Sequence, residues 1–241
     1  MAKKGKKYQA VAAKVAEKDY SPNEALSLAQ ETAYTKFDPT VEVHIRLNVD
    51  PRKADEQVRD VVILPHGLGK TIRVLVFAQG EAAKVAREAG ADAVADDDES
   101  LKKIANGWLD FDVALSMQEM MGNLGKSGLA RVLGPRGLMP NPKAGTVVAA
   151  AEDLPRAIRE AKAGRVEFRV DSTGNLHVPI GKVSFTADKL QENFAALLDA
   201  VVKARPSGVK GVYVRRVSVN ATMGPSIKVD TYQALNPGVA A

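Results

Sequence analysis

Three short passages of this chain combine residue types that could do recognition chemistry. Ala221-Thr222-Met223-Gly224-Pro225-Ser226 places a hydroxyl, an apolar side chain and a glycine together between two C-terminal strands. Thr222 could meet a ribose 2′-OH, Met223 offers an apolar contact, and Gly224 permits close backbone approach; the plain alternative is a simple turn. Arg215 and Arg216 lie just upstream. Lys36-Phe37 sets a rare aromatic beside a charge, ahead of a strand whose polar positions are Thr40, Glu42, His44 and Arg46. A third passage, LGPRGLMPNPKAGTVV, alternates Gly and Pro, with Arg131 just ahead of it and Arg136 and Lys143 within it. It either turns amides and cations toward phosphate or serves as a stiff connection.

Nothing nominates a reaction. Gly67-Leu68-Gly69-Lys70-Thr71 and Gly122-Asn123-Leu124-Gly125-Lys126-Ser127 imitate nucleotide-binding loops, but Leu64 and Met120 stand where such a loop requires its first glycine. Asp96-Asp97-Asp98-Glu99 lacks the alternate spacing and internal glycine of a calcium loop, and reads as acids favouring a helix N-terminus. With no Cys there is no disulfide, thiol nucleophile or sulfur-ligated zinc; His44, His66 and His177 are too scattered in sequence to suggest a metal site. No cofactor is expected.

The elements that must hold these residues follow from periodicity. A helix is expected near Tyr8–Lys18, and a second after the capping box Ser21-Pro22-Asn23-Glu24. Val41, Val43, Ile45 and Leu47 alternate with polar residues as in a half-buried strand, and Arg59–Leu64 looks like its partner. From Ile72 short apolar strands alternate with helices, which implies a small parallel sheet that ends at the Gly/Pro loop. Beyond Leu154 come a strand at Arg165–Val170, a turn at Asp171–Asn175, and a helix capped by Thr186 that reaches Ala204. Two final strands follow, and the apolar phase slips at Arg215-Arg216 as a β-bulge would make it.

Length and composition agree with two soluble domains: 241 residues, 45% apolar and 26% charged. The basic start has no apolar run behind it, so no signal peptide and no membrane partner are expected; the location reads as cytoplasmic. The net charge of +5 divides into +7 for residues 1–66 with 155–241, and −2 for 67–154. The expected fold is therefore α/β and α+β: a discontinuous domain from both termini (1–66 plus 155–241) with an α/β domain inserted at 67–154. Hinges would lie at Pro65–Gly69 and Val148–Pro155. Aromatics make up only 5%, which favours ribose and backbone contacts over stacking on many bases.

The runs KFDPTVEVHIRL, LPHGLGK, GADAV, GWLDFDV, LGPRGLMPNPKAGTV, VEFRV and TMGPSIKVD resemble, in order and spacing, the family of bacterial large ribosomal subunit protein one. This is the protein of the mobile stalk beside the tRNA exit site, and the likeness spans about Lys6 to Asp230. It implies a split β-α-β type RNA-binding domain with a Rossmann-like insert, no enzymatic activity, and a place on the cytoplasmic ribosome. Implied partners are the stalk segment of large-subunit rRNA, the exit-site tRNA whose deacylated form is released, and a similar structure in the protein's own mRNA leader. The free protein would be a monomer. The family's contacts fall on Lys36, Phe37, Thr40, Glu42, Thr222, Met223 and Gly224, and Arg216 and Ser218 complete the candidate RNA-binding set. Arg216 stands where the family carries Ser, so its contact would be to phosphate. The Gly/Pro loop identifies the family more than it marks the rRNA surface. Two rival readings are an enzyme that binds a nucleotide on the insert, and a purely structural assembly protein.

Overall fold

Strict alternation along Thr40–Leu47 makes β1 a strand with one dry face and one wet face, and the terminal segments are built around it. The computed structural model describes residues 5–236, so Lys3 and Lys4 of the basic start and the last five residues fall outside it. The chain divides into two compact units, residues 1–69 with 166–241, and residues 70–165.

In the first unit β1 lies between β8 (Asn175–Lys182) and β9 (Val214–Ala221), antiparallel to both, with β10 (Ile227–Val229) outside β9. β8 and β9 therefore run parallel to each other with β1 between them. Helix α8 (Ala187–Lys203) joins them, which is the split β-α-β arrangement. One sheet face buries Val41, Val43, Ile45, Leu47, Val178 and Val219 against α2 (Pro22–Glu31) and α8. The other face is left to solvent.

Several local expectations are met. Ser21 and Glu24 form a reciprocal capping box at the start of α2, with Pro22 in the first turn. The bulge is present: Arg46 pairs with Arg216 but Leu47 pairs with Val214, so Arg215 is the extra residue. Inside the unit, buried Asn193 of α8 accepts from His66 N–H at 3.0 Å and donates to Ile180 O and Gly67 O, which satisfies its amide completely.

Other expectations fail for physical reasons. The first helix, α1 (Lys6–Ala12), is shorter than expected; it buries nothing, and Tyr20 Oη accepts the Ala16 N–H beyond its end. β2 (Arg59–Ile63) pairs with β7 (Arg165–Arg169) in a separate two-stranded sheet, not with β1, whose edges β8 and β9 already occupy. Thr186 is the N-cap of α8 by position, but its hydroxyl makes no cap bond.

The second unit carries a parallel sheet in the order β4 (Ala93–Ala95), β3 (Val74–Phe77), β5 (Val113–Met117), β6 (Val147–Val148). Its helices include α3 (Gly80–Glu88), α4 (Asp98–Ala105), α5 (Met121–Lys126), α6 (Ala130–Leu133) and α7 (Leu154–Lys162). The Gly/Pro loop does not end the sheet; it leads into β6.

The second crossing between units falls after Arg165, not near Leu154. Leu154, Ala157, Ile158 and Ala161 of α7 bury into the core of the insert, while Arg156, Glu160 and Lys162 pair with charges of that unit. With this division the first unit holds 20 basic against 16 acidic residues and the second 14 against 13, so the net charges are +4 and +1. The strong asymmetry expected from the earlier boundary disappears, because α7 takes its cations into the insert.

Candidate nucleic-acid interface

The wet face of the first unit's main sheet collects most of the polar residues singled out by type and spacing. Along β1 the outward side chains are Thr40, Glu42, His44 and Arg46, opposite Asn220, Ser218 and Arg216 of β9. β8 adds His177 beside His44 and Asn175 beside Arg46. The register therefore brings Glu42, Arg216 and Ser218 onto one surface.

At one end of this face two loops are laced together. Thr222 Oγ1 accepts the Thr40 N–H at 3.1 Å and donates to Thr40 O at 3.2 Å, and Thr222 N–H donates to the same oxygen at 2.9 Å. The Thr222 hydroxyl thus helps to lace the two loops together. Tyr34 Oη donates to Met223 O at 2.9 Å. Lys182 Nζ donates to Thr40 Oγ1 at 2.9 Å.

This lacing holds Met223 in an unusual state. Its φ is +68°, the only positive value at a non-glycine residue among those described, and the residue is 66% exposed. A left-handed backbone costs free energy at a non-glycine residue, and such outliers cluster at contact sites. Phe37, 58% exposed, stands on the adjoining loop, where the Thr35 hydroxyl donates to its carbonyl oxygen. Gly224 serves the turn itself: a Cβ there would meet Ala221 O at 2.9 Å. Lys36 is exposed and, among the described residues, has no ion-pair partner.

Across the middle of the face His44 and His177 meet, although far apart in sequence. Their Nδ1 atoms are 2.7 Å apart, and His44 Nε2 lies 2.5 Å from Asn220 Oδ1. The Asn220 amide donates to Ala221 O at 3.1 Å, which turns its oxygen toward His44. His177 Nε2 lies 3.4 Å from Asp171 Oδ2. Burial pushes the Asp171 carboxyl up, but N–H and hydroxyl donors of Asn175 and Thr173 outweigh it and hold the group well below the usual carboxylate range. No cluster of three metal-ligating side chains occurs among the described residues.

At the far end Arg46, Arg215 and Arg216 are all exposed, and with His44, His177 and Ser218 they border an open cleft of about 500 Å³. Arg46 donates to Thr173 O, and Arg215 Nη2 donates to Asn48 Oδ1 at 2.5 Å.

The imitation phosphate loops are structural. Gly67 and Gly69 have positive φ, and a Cβ on Gly69 would collide with the Phe185 ring at 2.6 Å. Lys70 is paired with Asp112 at 2.9 Å, and the second run coils into α5. Asp97 caps α4 through Ser100 N–H at 2.7 Å, and Asp96 pairs with Arg87. On the Gly/Pro passage Arg131 and Arg136 are exposed; the side chain of Lys143 lies outside the described residues.

Sequence reasoning missed Tyr34 and the His44–His177 pair. Alternation along β1 pointed His44 outward, but only strand pairing brings His177 to it.

The model of the ribosomal protein L1p/L10e family matches residues 29–225. The large ribosomal subunit protein uL1 of two strains of Chloroflexus aurantiacus is 59% identical over 237 residues, covering 98% of this chain and 99% of the relative. The protein of the same name from Chloroflexus aggregans is 57% identical over the same span.

Proposed function

Because the chain belongs to the ribosomal protein L1p/L10e family, and is a non-enzymatic structural constituent of the large ribosomal subunit, we propose that the wet sheet face described above binds the stalk segment of large-subunit rRNA. The observation that carries this reading is Met223: an exposed apolar side chain on a left-handed backbone, fixed by Tyr34 and by the Thr222–Thr40 bonds. Phe37 and Met223 supply apolar contact to sugar or base, and Lys36 supplies phosphate attraction. Glu42, Thr40 and Ser218 offer polar groups along the strands, and Arg216 adds a cation. Thr222 and Gly224 act by shaping the loop. On the ribosome the chain would take part in release of deacylated tRNA from the exit site, and the same face would bind a similar structure in its own mRNA leader and repress translation.

Chemical footprinting of the full chain on purified large-subunit rRNA tests this. Protection is expected in one structured segment, and Met223→Ala should need a higher protein concentration to produce it. Protection spread along the rRNA, or unchanged in that variant, would contradict the reading.

A further inference from the structure

We propose that the cleft bordered by Arg46, Arg215 and Arg216 is a phosphate-binding subsite, which engages an RNA backbone phosphodiester about 20 Å along the strand from the Met223 loop. The inference rests on the reading of this face as RNA-binding, and it makes that face bipartite: apolar at one end, cationic at the other.

Three observations converge. First, the register sets Arg46 directly opposite Arg216, a cross-strand pairing of like charges that destabilises a sheet on its own. Second, the bulge turns Arg215 outward beside Arg216, so both side chains are exposed in succession. Third, no carboxylate borders the cleft. Asp171 stands behind His177 and is already engaged by Thr173 and Asn175.

The partners of these arginines are neutral. Arg46 is held by Thr173 O and by Asn175 Oδ1 at 3.3 Å, and Arg215 by Asn48 Oδ1. Arg216 has no hydrogen-bond or ion-pair partner among the described residues. Two guanidinium groups are thus oriented without being neutralised, and the third is left open. Such an arrangement suits an anion with several acceptor oxygens, because guanidinium donors match phosphate in a two-pronged geometry. Ser218 and His177 add polar groups at the border, as a phosphodiester contact requires.

The test uses the full chain, purified large-subunit rRNA and three variants: Arg216→Gln, Arg46→Gln and Met223→Ala. Each arginine variant should weaken rRNA binding about tenfold at low salt and flatten the log–log salt dependence by about 0.7–0.9 per lost contact. Met223→Ala should weaken binding with the salt slope unchanged. Thermal midpoints of the arginine variants should hold or rise, since the like-charge pair is relieved. Unchanged affinity and slope in the arginine variants, alongside weakened Met223→Ala, would overturn the subsite and leave the RNA-binding face standing. If inorganic phosphate stabilises the native chain but not Arg216→Gln while rRNA affinity is equal in both, the cleft takes free phosphate and the proposal is equally overturned. Native affinity in all three variants would instead sink the RNA-binding reading itself.

Discussion

The Tyr34 hydroxyl donates to the carbonyl oxygen of Met223 at 2.9 Å and so ties the segment after α2 to the loop between β9 and β10. This bond spans 189 positions of sequence and ends on a backbone held in the left-handed region. Tyr34→Phe removes the donor and keeps the ring. Stability should fall by no more than about 0.5–1.5 kcal/mol, as for a single partly exposed hydrogen bond. Affinity for rRNA should fall as well, because Met223 is no longer held in place. Urea denaturation and equilibrium titration, run together, separate the two effects.

Thr222 makes a different case. Its hydroxyl both accepts from and donates to Thr40, so Thr222→Val leaves the Thr40 N–H without its side-chain acceptor. A cost of roughly 1–3 kcal/mol in unfolding free energy is expected, with Thr222→Ser recovering most of it. A loss of RNA affinity with native stability in Thr222→Val would show instead that the hydroxyl faces RNA.

Tyr213 is buried, and its hydroxyl finds no hydrogen-bond partner among the described residues. Burial pushes its ionisation up to about 12, against a smaller opposing pull from Arg205. The neutral form is therefore favoured by folding, and the associated stability is present below about pH 10 and lost as pH rises toward 12. Tyr213→Phe should be neutral or stabilising by about 1 kcal/mol at pH 7, since it removes an unsatisfied buried group. It should also flatten the alkaline decline in the thermal midpoint, measured by calorimetry from pH 8 to about 11.

What could be read in advance was what local physics decides. Alternation along β1 separated Val41, Val43, Ile45 and Leu47 from Glu42, His44 and Arg46. The capping box placed the start of α2, and the slipped apolar phase at Arg215-Arg216 located the bulge. What failed depended on partners distant in sequence. Arg59–Ile63 has the pattern of a strand, but pattern carries no address, and β7 is its neighbour. Nothing in residues 154–162 says which core a helix there would cover, and the burial of α7 in the insert sets the boundary and the charge division. At Thr222, residue type alone cannot say that the hydroxyl bonds back to Thr40.

Met223 tests the central claim most directly. Met223→Gly suits the φ of +68° better than methionine does, and removes the exposed side chain. Measured side by side, the variant should show a thermal midpoint equal to or above the native value, and rRNA binding weaker by about 1–3 kcal/mol. Native affinity in a fully folded Met223→Gly chain would contradict the assignment of this loop to RNA.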